Sequence, residues 1–163
     1  MKKAWNYVSN FILVVIIVFT IFTVGVRFLH ITPYAVLSGS MEPTYKVGSL
    51  IYVKDTVPEE IKVGDPITFV LNNDLTIATH RVVKVDKENQ SFITKGDANE
   101  KVDGKPVLYE NLIGKPIFHI PYMGYFVNWL QSRTGIIVSI SLVSLYIIVS
   151  ILVGSIKNKK ENE

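Results

Sequence analysis

Thr76-Ile77-Ala78-Thr79-His80-Arg81-Val82-Val83 is the stretch that decides the fold. Period-2 alternation puts Ala78, His80 and Val82 on one face and Ile77, Thr79, Arg81 and Val83 on the other. β-branched residues fill most of the run, so Thr76 to Val85 reads as a strand. Similar short runs lie outward on both sides: Tyr34 to Leu37, Ser49 to Lys54, Ile67 to Leu71, Ser91 to Thr94 and Ile113 to Ile120. Turn formers separate them, among them Gly48, Gly64-Asp65-Pro66, Gly96-Asp97 and Asp103-Gly104. The middle of the chain is therefore expected to be all-β, a small antiparallel barrel or sandwich, with no helix longer than two turns between its ends.

Both ends are apolar. Phe11 to Val26 is almost uninterrupted Ile, Val, Leu and Phe, close to the ~20 residues that cross ~30 Å of hydrocarbon as a helix. The run is longer than a signal-peptide core and no small-x-small cleavage site follows it, which favours an anchor. Ile136 to Ile156 is a second run, broken only by serines and Tyr146, whose hydroxyls can bond back to helix carbonyls. Lys2 and Lys3 precede the first run, and Lys157, Lys159 and Lys160 follow the second. The positive-inside rule then puts both termini in the cytoplasm, with Arg27 and Arg133 outnumbered on the opposite flanks. The expected layout is a cytoplasmic N-terminus (1–6), a transmembrane helix (7–26), an extracytoplasmic domain (27–133), a second transmembrane helix (134–156) and a disordered polar cytoplasmic tail (157–163). That describes a multi-pass protein of the cell membrane. Trp5, Tyr7, Tyr122, Tyr125 and Trp129 fit aromatic belts at the membrane surfaces.

In 163 residues carrying a net charge of +3, the lysines are scattered or terminal, with no basic patch interleaved with aromatics. No nucleic-acid partner is expected. Cysteine is absent, which excludes disulfides, thiolate metal sites and cysteine nucleophiles of the sortase kind. Nothing in the residues asks for a second copy, and a monomer in contact with membrane lipid is the expectation.

Ser38-Gly39-Ser40-Met41-Glu42-Pro43 follows the first apolar run and sets Ser40 in a tight turn between flexible Gly39 and rigid Pro43. A serine hydroxyl needs a neighbouring base to become a nucleophile at neutral pH. The chain offers three imidazoles, and His30 and His119 read as interfacial or packing residues. His80 stands on a strand among small apolar neighbours, placed to accept a proton and to leave room for an extended peptide. Asp97 and Asp103 follow the next strand, and either could orient the imidazole as the third member of a serine triad. The Ser38 hydroxyl and the Ser40 backbone N–H could donate to an oxyanion.

In this order the segments resemble type I signal peptidases of the ER-type branch found in eukaryotes, archaea and some spore-forming Gram-positive bacteria. SGSMEP is similar to the nucleophile box, VGDPITFV to the structural box that follows, ATHRVV to the base box, and KGDAN with VDG to the acidic box. Most bacterial members carry lysine where this chain has His80, and that exchange points to the branch. The resemblance implies a membrane-bound serine endopeptidase that removes signal peptides from exported preproteins. It implies Ser40 as nucleophile, His80 as base, Asp97 and Asp103 as acidic residues needed for activity, and Ser38 as oxyanion donor. Pockets lined by Val36, Leu37 and Ala78 would take small side chains at the first and third positions before the cut. No metal, nucleotide or other cofactor is needed. The rival readings are a Ser/Lys dyad using Lys84 or Lys95, and a non-enzymatic membrane-anchored β domain.

Overall fold

The computed structural model describes residues 2–71 and 76–161. Helix α1 (Lys2–Thr23) passes through a 3-10 segment (Gly25–Leu29) into β1 (Ile31–Ala35), followed by β2 (Leu50–Asp55), β3 (Pro66–Val70), β4 (Ile77–Asp86), β5 (Ser91–Lys95), β6 (Val107–Leu108) and β7 (Leu112–Ile120). Two helices complete the chain, α2 (Met123–Gln131) and α3 (Arg133–Glu161). The chain divides into two compact units, residues 1–124 and residues 125–163.

In the first unit the strands form one curled antiparallel sheet in the order β1-β2-β7-β3-β4-β5-β6. Among the described residues no ladder joins β1 to β6; the coarser expectation, an antiparallel all-β domain, is what the curled sheet shows. The long step is made by β7, which returns from the end of the chain's β region to lie between β2 and β3. It passes β2 with Gly114 opposite Asp55 and β3 with the same Gly114 opposite Thr68. A Cβ at residue 114 would run into the Lys54 carbonyl, so only glycine lets the strand through at this point.

The strands form where alternation and turn chemistry place them, with three departures. β1 starts at Ile31, earlier than Tyr34, and runs through Pro33; it is an edge strand, where a missing N–H costs no ladder bond. Val36 stays tied to the sheet by its N–H to the Ser49 carbonyl, 2.8 Å, and by its carbonyl from Gly48 N–H, 2.9 Å, while Leu37 is already exposed. β6 was not expected, and α2, nine residues long, exceeds the two helical turns expected between the apolar ends.

Two apolar clusters hold the sheet. One gathers Ile61, Ile67, Phe69, Val82, Phe92 and Val107, with Ala78 packed against it. The other gathers Met41, Tyr45, Ile51 and Val53, with Tyr34 and Val36 against it. Met41 adjoins Ser40 and is only 2 % exposed; burying such a side chain is worth about 1.5 to 3 kcal/mol, which pins the serine turn to the sheet.

Among the described residues two stretches are long and apolar enough to cross a membrane, Trp5–Leu29 and Arg133–Leu152. The α-helical part of the first ends at Thr23, short of the expected 26. In the second unit α3 continues through Glu161, so residues 157–161, expected to be disordered, are helical; residues 162–163 lie outside the described residues.

Candidate active site

Ser40 and His80, 40 residues apart in sequence, line one cavity of about 610 Å3 together with Ser38, Val36, Leu37 and Ala78. The Ser38 and Ser40 hydroxyls are 3.3 Å apart. Val36 and Leu37, from the segment after β1, and Ala78, from β4, give the cavity apolar wall. Lys84 and Lys95 are not among its lining residues, so neither amine shares the space around Ser40.

His80 is fixed by its strand. β4 pairs with β3 so that His80 lies opposite Ile67, and its ring meets Phe69 edge-on with centroids 6.1 Å apart. The Nδ1 atom lies 2.6 Å from Asp103 Oδ2, and both side chains are largely covered, 15 % and 21 % exposed. The same carboxylate oxygen accepts the Thr94 hydroxyl at 2.6 Å. Asp103 N–H donates to the Thr94 carbonyl at 2.8 Å, which ties the acidic loop to β5. Thr94 is fully buried and pairs with Val82, two residues beyond His80, so the β4–β5 register brings Asp103 to His80. With Nδ1 engaged, Nε2 is the ring nitrogen that Asp103 leaves unoccupied.

Asp97 has a different task. Its carboxylate receives Arg81 Nε at 2.7 Å and Nη2 at 2.6 Å, a bidentate pair, and the Thr44 hydroxyl at 2.5 Å. The Arg81 guanidinium holds the Asp97 carboxyl below its ordinary value; burial opposes this, and the Thr44 hydroxyl adds to it. The reciprocal bond from Asp97 raises the Arg81 pKa. Arg81 is next to His80 and Thr44 is four residues after Ser40, so this cluster spans the two segments. A backbone bond joins them again: Ala98 N–H donates to the Ser40 carbonyl at 2.9 Å. Gly96 makes that approach possible, because a Cβ there would stand 2.6 Å from the Ser40 oxygen.

The segment Gly64-Asp65 braces β4 just past His80. Gly64 N–H bonds the Val82 carbonyl at 2.8 Å, Val82 N–H bonds the Asp65 carbonyl at 2.9 Å, and Arg81 Nη1 reaches the Gly64 carbonyl at 2.8 Å. Burial works to raise the Asp65 carboxyl, yet hydrogen bonds from Lys115 and from the Lys62 N–H hold it lowered overall. His30 and His119 stand apart from the cavity: His30 faces Asp55 at 3.6 Å, and His119 packs edge-on against Tyr45. Sequence reasoning passed over Thr94, Arg81 and Thr44 as site residues. Alternation had put Arg81 on the face away from His80, and nothing local announces which carboxylate each hydroxyl or guanidinium will meet.

Comparison with known proteins gives the chain relatives. Residues 5–95 match the family model described as signal peptidase, peptidase S26. Signal peptidase I W of Bacillus subtilis (strain 168) is 39% identical over 122 residues, covering 69% of this chain and 64% of that protein. The signal peptidase complex catalytic subunit SEC11 of Zygosaccharomyces rouxii is 30% identical over 115 residues, 64% of this chain and 68% of that one. The human subunit SEC11C is 37% identical over 101 residues, 55% of this chain and 52% of that one. The chain thus spans from about half to about two thirds of these relatives. With a family match over more than half its length, and a relative 30% identical of which it covers 68%, this chain belongs to the signal peptidase family, peptidase S26.

Proposed function

We propose that the protein is a membrane-bound serine endopeptidase that removes N-terminal signal peptides from exported preproteins, with Ser40 as nucleophile and His80 as general base. The observation that carries this reading is the cavity shared by Ser40 and His80, with Asp103 held on His80 Nδ1. The preprotein lays its cleavage region as an extended strand along the cavity, where alternate side chains point the same way. The apolar wall formed by Val36, Leu37 and Ala78 takes small side chains at the first and third positions before the cut.

Ser40 Oγ attacks the scissile carbonyl while His80 Nε2 takes its proton, and Asp103 holds the ring through Nδ1 and stabilises the imidazolium. The Ser38 hydroxyl and the Ser40 N–H receive the negative oxygen of the tetrahedral intermediate. His80 then gives the proton to the leaving amine, and a water activated by the same imidazole releases the acyl-enzyme. Asp97 keeps Arg81 and the serine turn in register and does not touch the reacting atoms. The two apolar helices cross the cell membrane with both termini in the cytoplasm, leaving the β domain outside, where enzyme and tethered substrate share one bilayer and a raised effective concentration.

The test is cleavage of a preprotein by detergent-solubilised protein. Ser40→Ala and His80→Ala are expected to abolish it and Lys95→Ala to leave it intact; equal cleavage by wild type and Ser40→Ala would end the reading.

A further inference from the structure

Asn99 lines the same cavity as Ser38, Ser40 and His80, and the steps above give it no task. Its placement follows from the loop that carries it. Ala98 N–H is tethered to the Ser40 carbonyl, and Asn99 N–H closes back on the Gly96 carbonyl at 3.0 Å, so the chain turns directly after the tether. The turn lays the Asn99 amide over Gly96, where a Cβ would stand 2.7 Å from Nδ2 and 3.0 Å from Cγ. The residue is exposed, and among the described residues no hydrogen bond or ion pair engages its side-chain amide.

A primary amide offers two donors and an acceptor, the same groups that an extended peptide presents along its edge. We infer that Asn99 is a substrate-positioning residue whose side-chain amide hydrogen-bonds the main chain of the bound peptide close to the scissile bond. This rests on the peptidase reading and adds a residue to it. Because the Asn99 loop is bonded to the Ser40 carbonyl, one short segment references both the nucleophile and the substrate backbone, which is how reacting atoms are held at attack distance. The contact is to backbone, so it acts on substrates of any sequence. It is present in the bound ground state as well as during reaction, so its loss shows in KM more than in kcat.

The experiment uses the full chain in detergent and measures kcat and KM on a peptide spanning a cleavage region. A series of that peptide carries an ester in place of one backbone amide at each position before the cut. Asn99→Ala is expected to raise KM about 3- to 10-fold, the worth of one neutral hydrogen bond, with kcat held within about twofold. At one position the ester is expected to raise KM for wild type and not for Asn99→Ala, so that the two losses do not add. An unchanged KM in Asn99→Ala, a fall in kcat alone, or additive losses at every position would each overturn the inference. Those outcomes with Ser40→Ala inactive remove the role of Asn99 and leave the peptidase intact; undiminished cleavage by Ser40→Ala removes both.

Discussion

Asp103 Oδ2 lies 2.6 Å from His80 Nδ1, and the buried Thr94 hydroxyl donates to the same oxygen from 2.6 Å. The carboxylate thus has its position set by β5 before it meets the imidazole. In the proposed triad an acid so held fixes which ring nitrogen carries hydrogen.

Asp103→Asn should keep this shape and lose the chemistry. The amide can present its NH2 to Nδ1 and turn the imidazole into the wrong tautomer, which in a serine triad costs ~10⁴-fold in kcat. Cleavage rates at saturating substrate, with thermal melting as a control for folding, check this. Thr94→Val should share part of the loss, because it frees the carboxylate to turn.

The Arg81–Asp97 pair makes a prediction about acid. The Asp97 carboxyl is held below its ordinary value of 3.8, first by the Arg81 hydrogen bond. A carboxyl depressed in the folded state contributes stability that is fully present above its unfolded pKa and is lost as pH falls through the folded one. Melting temperature should therefore drop as pH is taken below about 4, and Asp97→Asn should flatten that part of the profile. Arg81→Lys keeps the charge without the fork and should recover only part of what Arg81→Ala loses. For this half-covered pair Arg81→Ala is expected to cost about 1 to 3 kcal/mol, between the exposed and buried cases.

Gly96→Ala separates activity from stability. The added methyl would stand 2.6 Å from the Ser40 carbonyl and 2.7 Å from Asn99 Nδ2, so the serine turn or the acidic loop must shift. A displacement near 1 Å at a reacting group costs on the order of 10²-fold in rate. The expected result is a loss of that size in kcat/KM with a much smaller change in melting temperature.

What could be read from the sequence follows from how local each signal is. Alternation and turn residues act over a few positions, so the strands, the face that carries His80 and the serine turn are legible in the residues alone. The choice between Asp97 and Asp103 is not local. It depends on the β4–β5 register, which slips between Val82 and Lys84 at a bulge, and on the backbone bond from Asp103 to Thr94. β6 has two residues, too few to show a period. α2 carries Tyr125, Phe126 and Trp129, and this aromatic content reads as a membrane-surface belt before it reads as a helix. The Asp97 cluster joins residues as much as 53 apart in sequence, a pairing that no spacing rule announces.

Ser38 offers the sharpest division between binding and chemistry. Its hydroxyl rests 3.3 Å from Ser40 Oγ, close enough to turn toward the oxygen that, in the proposed mechanism, becomes negative only when Ser40 attacks. A donor used in the transition state and idle in the ground state changes kcat and leaves KM nearly alone. Ser38→Ala should then lower kcat by about 10²- to 10³-fold with KM within about twofold. Ser38→Thr, which restores a hydroxyl, should recover part of that loss. A rise in KM at constant kcat would instead place Ser38 with the groups that hold the substrate, and would leave the Ser40 N–H to receive the oxyanion without it.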